Sequence, residues 1–190
     1  MSITSNSLLM RLQTAASDAD WRRLVDVYAP VVRGWLARYH LQPADLDDLV
    51  QDVLGVLVRE LPAFRHNGRT GAFRHWLRVV AVHRVRNFWR TKQSAPSPGL
   101  IDDLAQLEDA ASDLSRQWDA EHDKHVVARF LDAIERDFEP TTWRAFRRVM
   151  FDGASAAEVA AELGISPNAV WIAKSRVLHR LRQEAAGLLD

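Results

Sequence analysis

The spacing of the apolar residues restricts this chain most, because it is helical wherever it can be read. In DADWRRLVDVYAPVVRGWLARYHL (residues 18–41), Trp21, Leu24, Val25, Tyr28, Val31, Val32, Trp35 and Leu36 recur at steps that keep them on one side of a helix. A strand would need a period of two, which these residues do not follow. Leu49, Val53, Val56, Leu57 and Leu61 repeat the helical pattern, and Trp76, Leu77, Val80, Val85 and Phe88 form the expected buried stripe of a long helix over Phe73–Lys92. Pro30 is expected to kink or divide the first of these helices, since proline removes a backbone donor and clashes with the preceding turn. Asp45 or Asp47 is expected to cap the second, and Pro62 favours its end. RHNGRTG (65–71) reads as a loop from its Asn-Gly and second glycine. With no alternating segment and no internal repeat, the fold class is all-α.

One stretch interrupts the pattern. KQSAPSPGL (92–100) holds two prolines, a glycine and two serines, a composition that suits a linker. The acidic IDDLAQLEDAASDLSRQWD after it reads as a flexible tether with at most partial helix. The expected organisation is therefore two small helical domains, 14–92 and 119–190, joined by a linker over 93–118. Helices near 120–136 and 139–151 open the second domain. A chain of 190 residues is long enough for two such cores.

Charge narrows the function. Lys and Arg number 25 against 25 Asp and Glu, which argues against a general polyanion binder. The charges are nonetheless sorted into blocks. Arg65 to Lys92 carries eight Lys/Arg, three His and no acid, whereas DLDDLVQD (45–52) carries four aspartates and no base. Sorted charge points to several surfaces with different partners. The absence of cysteine excludes disulfides and thiolate metal sites. The N-terminus lacks the basic and apolar regions of a signal peptide, and no apolar run approaches the roughly 20 residues that span a bilayer. A cytoplasmic protein without membrane insertion is expected.

Near the C-terminus, Ser155 followed by Glu158 has the spacing of a capping box. Gly164 permits a left-handed turn, and Ser166-Pro167 can start a new helix. Val159, Leu163, Ile165 and Val170 supply a shared core, with Ala160 small enough for close helix approach. This is helix-turn-helix spacing, although a plain helical corner would need the same glycine and apolar residues. The second helix distinguishes the two. Ser166, Asn168, Trp171, Lys174, Ser175 and Arg176 offer groups for base edges and phosphates, on a helix whose N-terminus adds partial positive charge.

The basic helix of 73–92 interleaves aromatics with arginines, a combination that suits unpaired nucleic acid: bases stack on rings and the backbone meets cations. Trp76 and Phe88 also fit a core stripe, and Phe64 and Phe73 flank the loop. His66, His75 and His83 suggest a metal only weakly, because His75 and His83 lie about two helical turns apart and no acid accompanies them.

Taken in order, the segments from DADWRRLV to FWRTK resemble region 2 of bacterial RNA polymerase sigma factors of the extracytoplasmic-function group, and AAEVAAELGISPNAVWIAKSRVLHRLR resembles their region 4. The resemblance implies that Asp48, Leu49, Gln51, Asp52 and Val53 grip the coiled coil of the largest polymerase subunit. It implies that Phe64, Arg65, Asn67, Phe73, Trp76, His83, Arg84 and Asn87 capture the opened −10 element, and that the recognition helix reads the −35 element. The family often carries Asn at the place of His83 and Asp at that of Asn87. The acidic tether would run towards the polymerase active-site and RNA-exit channels, and an anti-sigma protein is a further possible partner. No catalytic role and no cofactor is expected. Two rivals stand beside this reading. One is a conventional helix-turn-helix regulator that holds duplex DNA without polymerase; the other is a helical nucleic-acid enzyme using the histidines.

Overall fold

The computed structural model describes residues 7–39, 41–65, 69–92 and 98–189. Among them the chain forms nine α-helices and no strand, so the all-α expectation holds. A short α1 (Leu8–Thr14) precedes α2 (Asp18–Leu36), α3 (Pro43–Glu60) and α4 (Ala72–Lys92). Then come α5 (Pro98–Glu108), α6 (Asp113–Ile134), α7 (Pro140–Met150), α8 (Ala156–Leu163) and α9 (Pro167–Ala185). No helix among the described residues is long and apolar enough to cross a membrane.

Helix α2 runs unbroken through Pro30, against the expected kink or division. Interior proline costs a helix about 3 kcal/mol. Here Val27, Tyr28, Val31, Val32, Trp35 and Leu36 are all buried on either side of it. At roughly 1.5–3 kcal/mol for each large apolar side chain removed from water, that burial outweighs the local penalty. The start of α2 is fixed by Ser17 and Asp20, which form a complete capping box.

Helix α3 begins differently from expectation. Neither Asp45 nor Asp47 caps it: Pro43 occupies the first turn and Gln42 the cap position, without a side-chain bond. Asp45 sits inside the first turn, where a carboxylate favours the helix dipole. It also accepts a bond from Lys92 Nζ at the far end of α4 (2.7 Å), while Asp47 pairs with Arg33 of α2. These two aspartates therefore tie α3 to its neighbours.

The largest correction concerns the acidic tether. Residues 93–97 lie outside the described residues, but the segment after them is not irregular. Pro98–Glu108 is helical and buries Leu100, Leu104 and Leu107 in the same core as α2, α3 and α4. Those leucines stand four and three apart, so one face of the helix is apolar and the acids occupy the rest. Helix α6 begins at Asp113 rather than near 120, capped by Ser112, and it too packs on the N-terminal bundle through Trp118, His122 and Val126. The boundary expected at 118/119 thus falls within α6.

Arg78 is the centre of this packing. Its side chain is 1% exposed and donates from Nε to the Leu107 carbonyl (3.0 Å), while one Nη bonds the Asp119 carboxylate. Its guanidinium also lies over the Trp118 ring, 5.7 Å from the centroid. On either side Arg74 pairs with Asp123 (2.6 Å) and Arg86 with Glu108. Three arginines of the basic helix are therefore neutralised by acidic residues of the same chain.

A second, smaller core of Ala145, Val159, Ala160, Val170 and Ala173 joins α7, α8 and the first half of α9. The second half of α9 leaves it: Val177, Leu181 and Ala185 belong to the main core, with Leu188 just beyond the helix. There the chain returns to α1 so closely that a Cβ at Gly187 would lie 2.6 Å from Leu9 Cδ2. A side chain there would be strained by the φ of +82° and would have to displace Leu9, which favours glycine. Glu184, 1% exposed, draws the junction together by pairing with Arg11 (2.9 Å), Arg23 (3.0 Å) and Arg180 (2.9 Å).

Candidate partner and nucleic-acid surfaces

The caps and turn expected between Ser155 and Pro167 are present in detail. The Ser155 backbone N–H donates to Glu158 Oε2 (2.8 Å), and the Glu158 N–H donates to Ser155 Oγ (3.2 Å). Gly164 takes the left-handed conformation at φ 65°, ψ 34° and ends α8. Ser166 Oγ then accepts from the Ala169 N–H (3.1 Å), with Pro167 in the first turn of α9. The capping bonds hold the Glu158 carboxyl below its ordinary pKa, chiefly through the Ser155 backbone donor and then its hydroxyl. The turn is consequently set by residues whose chemistry is entirely local.

Helix α9 presents Asn168, Trp171, Ser175 and Arg176 to solvent, with the Ser166 cap exposed ahead of them. Lys174 is half-buried, its Nζ 5.4 Å from the Trp171 ring centroid. Trp171 is 52% exposed and Ile172 beside it 44%. An exposed aromatic next to an exposed branched aliphatic, both within the first turns of a capped helix, offers apolar contact of the kind that thymine methyl groups accept. Ile172 is an addition to the expected set; its signal in the sequence is an apolar residue off the stripe of Val170, Ala173 and Val177. Arg180, farther along, is not available: it pairs with Asp137 (3.0 Å) and Glu184.

The N-terminal candidates separate into covered and open groups. On α3, Leu49 and Val53 are 1% and 0% exposed and belong to the core, so they cannot themselves touch a partner. Helical spacing requires this, because residues four apart share a face and theirs is turned inward. Asp48, Gln51 and Asp52 are exposed and make no side-chain bond with described residues. With Asp45 and Asp47 paired within the chain, the unpaired acids of this block reduce to Asp48 and Asp52, with the neutral Gln51 beside them.

On α4, Phe73 is 1% exposed and packs edge-on against Tyr28 (5.4 Å between centroids). It is a core residue, displaced from the expected site by its place on the stripe with Leu77 and Val80. Phe64 and Trp76 are half-buried and rest on it, with centroid separations of 5.7 Å for Phe64–Phe73, 5.3 Å for Phe64–Trp76 and 5.6 Å for Phe73–Trp76. The three rings form one cluster with a closed side and an open side. His83 and Asn87, four residues apart, are exposed on one face, and Arg84 is half-buried beside them without an ionic partner among the described residues. Arg65 is exposed at the edge of the loop, while Asn67 and His66 lie outside the described residues. The basic helix is thus two-sided. Arg74, Arg78 and Arg86 bind acidic residues of α5 and α6, whereas Arg84 and Arg90, like Arg65 before the helix, form no ion pair with described residues.

Of the described histidines in this region, His75 is engaged within α4. His75 Nδ1 lies 3.0 Å from Arg78 Nη2, which must donate to it. Burial, followed by the Arg78 charge, pushes the His75 pKa below its ordinary value despite Asp119 nearby. A neutral imidazole accepting from arginine has a structural task already. Among the described residues no group of three or more His, Asp or Glu could hold a metal ion.

Compared with known protein families, residues 24–95 match the family described as Sigma-70 region 2. No curated protein matches the chain. The matched span covers α3 and α4, most of α2 and the loop between α3 and α4, and so contains both the open acidic surface and the aromatic cluster.

Proposed function

We propose that this chain, a sigma factor carrying sigma-70 region 2 over residues 24–95, is a small two-region member of the extracytoplasmic-function type. In this reading Asp48, Gln51 and Asp52 dock on the coiled coil of the largest polymerase subunit. The α9 surface of Ser166, Asn168, Trp171, Lys174, Ser175 and Arg176 reads the −35 element as duplex. The open side of the Phe64–Trp76 cluster, with Arg65, Asn67, His83, Arg84 and Asn87, receives the −10 strand as it separates. The region 2 match carries the proposal, and the helix-turn-helix at the other end of the chain extends it from strand capture to duplex reading. The protein works as a specificity subunit that changes no bond, and its surroundings are those of polymerase and DNA.

The split of cations on α4 bears on how such a factor behaves alone. Its arginines at 74, 78 and 86 already hold carboxylates of the same chain, which lowers the positive potential available to DNA. The α9 surface alone offers few cations. Two weak contacts become one strong one when a third body fixes their separation, because the second binding event is then intramolecular. Core polymerase supplies that third body.

Run-off transcription with core polymerase on a randomised promoter library tests the reading: enrichment of a bipartite sequence that depends on the added chain supports it, and the absence of chain-dependent transcripts contradicts it. Within such a system, Lys174→Ala with Arg176→Ala removes two cations from α9. Promoter use is expected to fall by about tenfold, and the slope of log affinity against log salt to shrink by about one for each phosphate no longer neutralised. Transcription at wild-type levels would show that another surface reads the duplex. For the −10 side, stacking is worth roughly 1–3 kcal/mol per base. Phe64→Ala is therefore expected to lower permanganate reactivity of −10 thymines by about tenfold while closed-complex retention stays within about twofold. Equal loss in both would give Phe64 a role in packing alone.

A further inference from the structure

Between α2 and α6, away from every surface assigned above, four arginines converge on one cleft. Arg22, Arg23 and Asp26 of α2 line it, as do Arg129 and Asp132 of α6 and Arg136 just past the end of that helix. The cleft has a volume of about 530 Å³, within the range of small-molecule sites. Like charges on two packed helices repel, and the described residues offset them little here. Arg129 and Arg136 are exposed and form no ion pair with described residues, and Asp26 and Asp132 form none either. Arg22 donates to the Asp18 carbonyl (3.2 Å).

Arg23 is the least satisfied of the four. One Nη reaches Glu184 (3.0 Å), but its Nε and second Nη are buried without an acceptor among the described residues. Buried guanidinium donors almost always have a partner, and leaving them unpaired is costly. The four guanidiniums outnumber the two carboxylates of the cleft. The arginines suit phosphate oxygens, which they bind with paired donors. Asp26 and Asp132 are acceptors only and suit hydroxyl or amine donors; they would repel a continuous phosphate backbone. Ala19, Val27 and Ala133 add apolar wall.

We propose that this cleft binds a nucleotide carrying two or three phosphates, with the arginines on the phosphates and the two aspartates on sugar hydroxyls or base amines. Because its walls come from α2 and α6, the bound nucleotide braces the contact between the N-terminal bundle and the helix that leads to the helix-turn-helix.

The test uses the full chain and calorimetric titration with pyrophosphate, GTP, ATP and a short single-stranded DNA. Saturable one-site binding of a nucleotide is expected, with a rise in unfolding temperature that grows with ligand concentration. Arg129→Ala with Arg136→Ala is expected to weaken that binding by about tenfold or more, and the unliganded unfolding temperature should not fall, because neither guanidinium is paired with a described residue and their mutual repulsion is removed. Asp26→Asn with Asp132→Asn should strengthen pyrophosphate binding and narrow the preference for nucleotide over pyrophosphate. The proposal is overturned if no nucleotide binds saturably, if the arginine variant binds as well as the parent, or if only the DNA is held. None of these readouts involves polymerase or promoter, so the result stands apart from the transcription tests.

Discussion

Glu184→Ala is expected to destabilise the protein by about 3 kcal/mol, towards the low end for a broken buried ion pair because its partners are partly hydrated. The carboxylate is 1% exposed and is shared by Arg11, Arg23 and Arg180, each about a quarter exposed. Truncation leaves three cations facing one another across the junction of α1, α2 and α9. For a chain of this length such a loss lowers the unfolding temperature by roughly 10 °C, which thermal unfolding by circular dichroism measures directly. A shift below about 2 °C would mean that hydration compensates the arginines fully. The same residue sets an acid limb. Burial pushes the Glu184 carboxyl up, but bonds from Arg11 and Arg180 and the Arg23 charge outweigh it and hold the group below its ordinary value. A folded-state pKa below the unfolded one gives stabilisation that is complete above the unfolded value of about 4.3 and disappears as pH falls through the lower folded value. Glu184→Gln should flatten that limb.

The second large effect lies on α3. Asp48→Arg with Gln51→Ala is expected to reduce retention on core polymerase by about a hundredfold, since reversing a charge in a complementary interface costs several kcal/mol. Both residues are exposed and unbonded to described residues, so the fold and the unfolding temperature should be unaffected. Co-purification with core polymerase at physiological salt reads the outcome. Undiminished retention would remove this surface from the proposed interface, and parallel loss in an Asp47→Ala control would point instead to disturbance of the Arg33 contact between α2 and α3.

The parts of the molecule legible in the sequence are those fixed within a few residues. The turn from α8 to α9 needs only Ser155, Glu158, Gly164, Ser166 and Pro167, and each behaves as its chemistry demands. Pro30 departs from expectation because the rule for proline is local, while the burial that overrides it comes from neighbouring helices. Leu100, Leu104 and Leu107 stand at helical spacing in plain view, yet the density of acids around them suggests a solvated tether. That Glu108, Asp119 and Asp123 bind arginines of α4 is a tertiary fact. So is Glu184, whose partner Arg11 lies 173 positions away.

Among the expected site residues, Leu49, Val53 and Phe73 belong to the motif by position and to the core by periodicity. Position within a motif and exposure are separate properties: a motif includes the residues that shape a surface together with those that form it. The exposed remainder, Asp48, Gln51 and Asp52 on α3 and His83 and Asn87 on α4, is narrower than the motif and better suited to mutation. The arginine cleft is not legible in the sequence because it depends on which faces of two helices are left uncovered, whereas Ile172 is marked there only by standing off the apolar stripe of α9.

The pairing of Arg74, Arg78 and Arg86 with Asp123, Asp119 and Glu108 also recasts the neutral net charge. In the free chain the blocks of opposite sign meet one another, so the formal balance of 25 against 25 is partly realised as contacts.

The proposal that both helical modules need polymerase to hold DNA is tested most directly by measuring protection and strand opening on a library-selected promoter at physiological salt, with the chain alone, core polymerase alone, and both. Protection of the −35 element and permanganate reactivity at −10 are expected only with both. Protection of the promoter by the chain alone, or no difference between core polymerase with and without it, would contradict that dependence.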